Sequence, residues 1–194
     1  MLELKSPRSA SRGFTLIEVL VTVALAAILM MVAVPSFTSF ARNSQLTSFT
    51  NTLLAGINAA RGEAMKRGRY AMVVPANGSS WDSGWIVFVD VDRSQTYAAA
   101  SDITILSSDA KPSYLTITGN QTASGSTPYI MYDASGYSRT KSGGFGALTF
   151  EVKRNDNISM NQVRRLKIAS SGRARICTPT STSDTTCSAT ASAF

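Results

Sequence analysis

The chain has 194 residues, 44% of them hydrophobic and 16% charged, which fits one compact domain plus an unusually apolar segment and argues against two full domains. Its 19 Lys and Arg outnumber 12 Asp and Glu for a net charge of +7, so its solvated surface favours anionic partners such as nucleic acid or acidic lipid headgroups. With no histidine and two cysteines, a four-ligand thiolate zinc site and its usual imidazole variants are excluded, and no imidazole is available as a general base.

Residues 1–13 are short and basic, with Lys5, Arg8 and Arg12 against Glu3. From Phe14 to Ala41 the sequence then carries one charge, Glu18. About 20 apolar residues span a bilayer core as a helix, so residues 14–41 are long enough to do so, and a buried core helix of this kind is unusual in so small a domain. The basic flank keeps the N-terminus cytoplasmic by the positive-inside rule, which makes the C-terminal domain extracytoplasmic. A secretory signal ends its apolar core at a small-residue cleavage site. Here the small residue, Gly13, precedes the apolar run, so cleavage leaves the hydrophobic helix on the mature chain.

The order Arg12, Gly13, Phe14, Thr15, Leu16, Ile17, Glu18 resembles the class III signal peptide of type IV pilins and type II secretion pseudopilins. That resemblance implies cutting between Gly13 and Phe14 by prepilin peptidase, N-methylation of Phe14, and a role for Glu18 in recruiting the subunit into a filament. A carboxylate in a membrane helix costs about 3 kcal/mol at the bilayer centre and less near an interface, so it calls for a partner. In a stack of like helices that partner is the α-ammonium of a neighbour's Phe14; solvation among the headgroups is the alternative. Pro35 removes one backbone hydrogen bond inside the run and predicts a kink or a locally melted turn. Filament subunits of this type resemble it in carrying a proline at the same point.

In residues 42–69 the apolar positions Leu46, Phe49, Leu53, Ile57, Ala60 and Ala64 recur at three and four, one face of an amphipathic helix. Asn43, Ser44, Gln45, Thr50, Asn51 and Asn58 are expected mostly on the other faces. Lys66 and Arg67 complement the negative end of the helix dipole, and Gly68 suits a left-handed cap. The stretch from Glu63 to Arg69 is similar to the corresponding part of the GspH/FimT family, a class of minor filament subunits.

Beyond Tyr70 the pattern changes to short β-rich runs over 70–74, 85–91, 103–106, 114–118, 129–132, 148–152 and 165–169. Turn residues separate them, which predicts an antiparallel sandwich or curled sheet with the amphipathic helix on one face. The run from Gly84 to Asp90, then Ser135 and Gly136, then Ser170 to Arg173, resembles the GspH/FimT domain along most of its length; the loop after Asp92 departs from the family's glycine-acidic pattern. Asp90, Asp92 and Ser94 have the spacing that opens a calcium loop, but an EF-hand requires glycine where Gln95 stands and glutamate where Ser101 stands, which favours a solvated turn.

Cys177 and Cys187 lie close together in a Ser/Thr-rich stretch. A disulfide, implying an oxidising compartment such as the periplasm, is the natural reading; two free thiols are the alternative. The tail from Thr178 to Ala193 is expected to be partly disordered apart from that bridge. No nucleophile elbow, phosphate loop or acid/base pair is evident, so no enzymatic activity and no cofactor or metal is expected.

Arg164, Arg165, Lys167, Arg173 and Arg175 crowd into the last strand region. Alternate strand residues share a face, so Arg165 and Lys167 are expected to point one way together, as are Arg173 and Arg175. Such a patch neutralises phosphates without reading sequence. Some FimT-type minor pilins resemble this, holding DNA with a Gly-Arg-x-Arg element, which implies double-stranded DNA as a partner of Arg173 and Arg175 with Lys167 and Arg165 as auxiliaries. A solvated face, or a salt bridge to a neighbouring subunit, is the competing reading.

The expected fold is α+β and type IV pilin-like, a long N-terminal helix packed on an antiparallel β-domain. Residues 1–13 form a leader, 14–41 a membrane and filament-core helix, 42–69 its soluble half, 70–177 the β-domain and 178–194 the tail. The resemblance implies a minor pilin, first in the bacterial inner membrane and then at the tip of a filament, priming its assembly among other major and minor pilins. A pseudopilin of a type II secretion system is the alternative.

Overall fold

Leu, Ala and Met, which cost little in a helix, supply ten of the 19 residues from 16 to 34 and offset the slightly poorer β-branched Val, Ile and Thr, and one unbroken α-helix, α1, runs over Leu16–Arg67. The structure is a computed structural model that describes residues 13–156 and 159–190. The expected leader therefore lies outside the described residues, apart from Gly13. Helical hydrogen bonding runs through Pro35 without the melted turn anticipated from the sequence. A proline interrupts only its own bond and strains the turn before it, while the ladder on both sides remains intact, and Thr38 Oγ1 donates to the Val34 carbonyl at 2.9 Å. Helix α1 stops where expected: Gly68 takes φ +64, and the Arg69 amide reaches back to the Ala64 carbonyl at 3.2 Å.

The chain divides into two units, one ending at Arg42 and one beginning at Asn43. In the first, the large apolar side chains from Leu16 to Phe40 are exposed on every face of the helix. Length and composition suffice for this segment to cross a membrane.

In the second unit, α1 buries Leu46, Thr50, Leu53, Gly56, Ile57, Ala60 and Ala64. Each fully buried Leu or Ile contributes roughly 1.5–3 kcal/mol. Thr50 is a correction to the polar face assigned above: its hydroxyl donates to the Leu46 carbonyl at 2.8 Å, which satisfies it inside the core. Phe49 is half-buried and meets the Trp85 ring edge-on at 5.4 Å.

Eight strands form two antiparallel sheets. In the first, β1 (Ala71–Pro75), β2 (Trp85–Val89), β3 (Ile103–Ser108) and β5 (Ile130–Tyr132) lie in the order β3-β2-β1-β5. In the second, β4 (Leu115–Gly119), β6 (Leu148–Arg154), β7 (Val163–Ile168) and β8 (Ala174–Cys177) lie in the order β4-β6-β7-β8. Val73, Trp85, Val87, Ile130 and Tyr132 from one sheet, and Leu115, Phe150, Val152, Leu166 and Ile168 from the other, share a single core with the helix face. The alternate residues Met72, Phe88 and Met131 form a smaller cluster on the other side of the first sheet.

Strand β8 was not foreseen as separate from the turn before it. Gly172 makes that turn: its φ is +81, and a side chain there would meet the Gly136 carbonyl at 1.8 Å. The tail is a second correction. Residues 186–190 lie against the second sheet, held by side chains of that sheet, by Asn120 just beyond β4 and by the Cys177–Cys187 disulfide, while residues 191–193 of the expected tail lie outside the described residues.

Candidate functional site

Two regions carry the residues singled out in the sequence. At the N-terminal end, Gly13 and Phe14 precede α1, Phe14 is 87% exposed, and none of the described residues lies within 4 Å of the position a Gly13 side chain would take. Thr15 begins the helix as a capping box: Thr15 N and Thr15 Oγ1 donate to Glu18 Oε2 at 2.9 and 2.8 Å, and Glu18 N donates to Thr15 Oγ1 at 3.3 Å. Glu18 thus has a partner within its own helix that the sequence reading overlooked. The signal was present in the Thr-x-x-Glu spacing of residues 15 and 18.

The second region is the outer face of the β4-β6-β7-β8 sheet. Register places Glu151 opposite Arg165 and Arg165 opposite Cys177; the next row aligns Thr149, Lys167 and Arg175. Because side chains alternate, these residues share one face while Phe150, Leu166 and Ile176 point to the core side. Arg165 and Lys167 do share a face, as expected. Both, however, are buried.

What covers them is the tail, through an uninterrupted series of contacts. Arg175 Nη2 donates to the Thr186 carbonyl at 2.7 Å, and Arg165 Nη1 to the Cys187 carbonyl at 2.6 Å. Lys167 Nζ donates to Ser188 Oγ at 3.0 Å, Asn120 Nδ2 to the Ala189 carbonyl at 3.0 Å, and Thr149 Oγ1 to the Thr190 carbonyl at 3.3 Å. Five successive tail residues thus each accept a bond, four from sheet residues and one from Asn120 just beyond β4. Arg165 also pairs with Glu151 at 2.9 Å. Burial pushes the Lys167 ammonium pKa down, Arg175 and Arg165 push it the same way, and Asp184 opposes them.

Asp184 shapes the tail. Its carboxylate accepts from Thr180 N and Oγ1, from Thr186 N and Oγ1, and from Cys187 N, and these bonds hold its pKa below the usual carboxylate range. No sequence signal marked Asp184, Asn120 or Thr149, because their partners follow no period.

Arg173 and Arg175 do not share an environment. Arg173, in the turn before β8, is exposed, whereas Arg175 is half-buried against the tail. Arg164 points to the opposite side of the sheet and reaches Thr47 Oγ1 on α1 at 3.2 Å.

Asp90, Asp92 and Asp102 gather within reach of a common point. Asp90 accepts from the amides of Ser94 and Gln95, both at 3.1 Å, and Asp102 from those of Val91 and Ala98 at 3.0 and 2.9 Å. The carboxylates organise the loop around its own amides. The glycine-poor sequence accommodates this with left-handed backbone at Arg93, φ 60, and Gln95, φ 58.

The sequence over residues 50–172 matches the family described as type II transport protein GspH, and residues 8–34 match the prokaryotic N-terminal methylation motif. The structure is similar to the type IV minor pilin FimU of Pseudomonas aeruginosa strain PAO1 in two crystal forms. One gives a TM-score of 0.53 at 19% identity, covering 73% of this chain and 98% of that one. The other gives 0.49 at 19% identity, covering 73% and 97%. At 19% identity the first likeness speaks to the fold: a long N-terminal helix packed on antiparallel sheets. No curated protein matches the chain.

Proposed function

The chain belongs to the GspH family of type II transport proteins, and from this premise we propose that it is a minor subunit of a type IV pilus, cut after Gly13, methylated at Phe14 and carried at the filament tip, where it primes assembly. The observation that supports this reading most is the junction at residue 14: a methylation motif runs directly into a helix whose apolar side chains are exposed all round. A helix apolar on every face requires lipid or other helices around it. It serves first as the membrane anchor of an extracytoplasmic C-terminal domain and later as packing in a filament core. The partners are the other major and minor pilins and prepilin peptidase. Its role is structural, not catalytic.

A minor pseudopilin of a type II secretion system is the alternative, favoured by the family's description. Deletion of the gene separates them. Loss of surface pili with intact exoprotein release supports the pilus, and the reverse outcome assigns the chain to secretion. Mass spectrometry of the mature chain tests both, since each requires a methylated Phe14 at the N-terminus.

The exposed Arg173 beside Arg175 favours a second role, contact with double-stranded DNA through phosphates. Binding that falls steeply with salt and weakens in Arg173→Ala supports it; equal binding by that variant removes it.

A further inference from the structure

We infer that residues 178–190 form a strap that closes a cationic, phosphodiester-binding strip made by Arg165, Lys167 and Arg175, and that the strip takes its ligand when the strap lifts. This rests on the DNA reading above and adds its regulation. The strip is a built surface. Three cations from two paired strands, with Lys167 directly opposite Arg175, lie on one sheet face, and each meets an oxygen of a successive tail residue, 186, 187 and 188. Those oxygens are carbonyls and a hydroxyl, uncharged acceptors; phosphate oxygens in their place would add the attraction of opposite charge to bonds whose donors are already cationic, with Arg165 keeping Glu151 as its carboxylate partner.

The strap is suited to release. Its described residues are mostly Ser and Thr, with no large aliphatic or aromatic side chain, and only Pro179 and Cys187 among them are buried. Among the described residues, little apolar area therefore holds it down. It stays because the Cys177–Cys187 bond confines it beside the sheet and the Asp184 carboxylate fixes its shape. The exposed Arg173, in the turn before β8, is reachable with the strap down and gives an anion its first contact.

The test uses the full chain in detergent and a short fluorescent DNA duplex, titrated at several salt concentrations. Wild type is compared with Cys177→Ser/Cys187→Ser and with Asp184→Ala, tail release being followed by amide exchange over residues 180–188 and folding by near-ultraviolet circular dichroism. Should these variants unfold, wild type treated with a dithiol gives the same comparison: the dithiol is oxidised to its own disulfide as the Cys177–Cys187 bond becomes two thiols. Release is expected to tighten binding about tenfold or more at low salt and to steepen the log–log salt slope by about 2.7, for three added phosphate contacts. Adding Lys167→Gln and Arg175→Gln to the released chain is expected to remove the gain. Equal binding with the tail shown to be free overturns the strap while leaving a DNA role for Arg173. Absence of binding in every form removes the DNA reading, and the strap's function with it.

Discussion

Arg61 Nε on α1 donates to the carbonyl of Gly136 at 3.0 Å, across 75 positions of sequence. Its Nη2 reaches the Ser171 carbonyl at 3.2 Å, so one guanidinium ties together the two turns that meet where Gly172 presses on Gly136. Hydrogen bonds from a charged donor contribute about 1.5–3 kcal/mol. Arg61→Ala is therefore expected to lower the unfolding free energy of residues 43–194, which contain the whole main core, by about that amount. Arg61→Lys is expected to recover only part, since an ammonium lacks the planar fork that serves two carbonyls. Urea titration of the three proteins checks this; an unchanged midpoint in Arg61→Ala excludes a structural role for the clamp.

Gly172→Ala tests the same junction from the other side. The position needs φ +81 and has the Gly136 carbonyl 1.8 Å from where a methyl would sit. Left-handed backbone in a non-glycine residue costs of order 1–3 kcal/mol, and the clash adds to that. A loss of at least about 2 kcal/mol is expected in the same titration. Gly62→Ala, on an exposed helix position with nothing within 4 Å, is expected to be neutral or mildly stabilising and serves as the control.

How much of this was legible in the sequence follows the range of the forces involved. Leu46, Leu53 and Ile57 announced the buried helix face through a period set by backbone geometry, and Gly68 announced its end. The seven strand runs fell close to β1–β7, because alternation of Val, Ile and Phe records which side of a sheet is wet. Strand β8 is hard to tell from the turn before it: its four residues, Ala, Arg, Ile and Cys, follow directly on Gly172 and Arg173 and are too few to show alternation. Thr50 looked polar and proved buried, since a threonine hydroxyl is satisfied by its own helix. The cationic row at 165 and 167 was visible, but its covering was not. That covering comes from residues 186–190, about 20 positions downstream, four through backbone carbonyls and one through a hydroxyl, and such contacts leave no periodic trace.

Acid is expected to loosen the tail through Asp184. Its folded pKa is depressed by bonds from Thr180, Thr186 and Cys187, so its contribution is fully present above the ordinary carboxylate value of about 3.9 and is lost as pH falls through the lower folded value. Amide chemical shifts of Thr186 and Cys187, followed downward in pH, are expected to move with a midpoint below the ordinary range. In Asp184→Asn that transition is expected to vanish. A midpoint at the ordinary value sinks the idea that this carboxylate clasps the tail.

Glu18 offers the sharpest separation between a local and an intersubunit role. Both Thr15 donors end on Oε2, which leaves Oε1 for the ammonium of a neighbouring Phe14 in the filament reading. Glu18→Gln keeps a capping oxygen, since Gln also closes a capping box, but removes the charge. Thr15→Val does the converse, removing the hydroxyl at a cost of about 1 kcal/mol to the helix start while keeping the carboxylate. If pairing with a neighbour recruits the subunit, Glu18→Gln is expected to be processed and retained in the membrane yet enter sheared filaments at least about tenfold less, the equivalent of one lost charge-assisted bond. Thr15→Val is then expected to lose only a few-fold. The opposite ranking, with Glu18→Gln incorporated like wild type and Thr15→Val defective, identifies the carboxylate as a helix cap and nothing more.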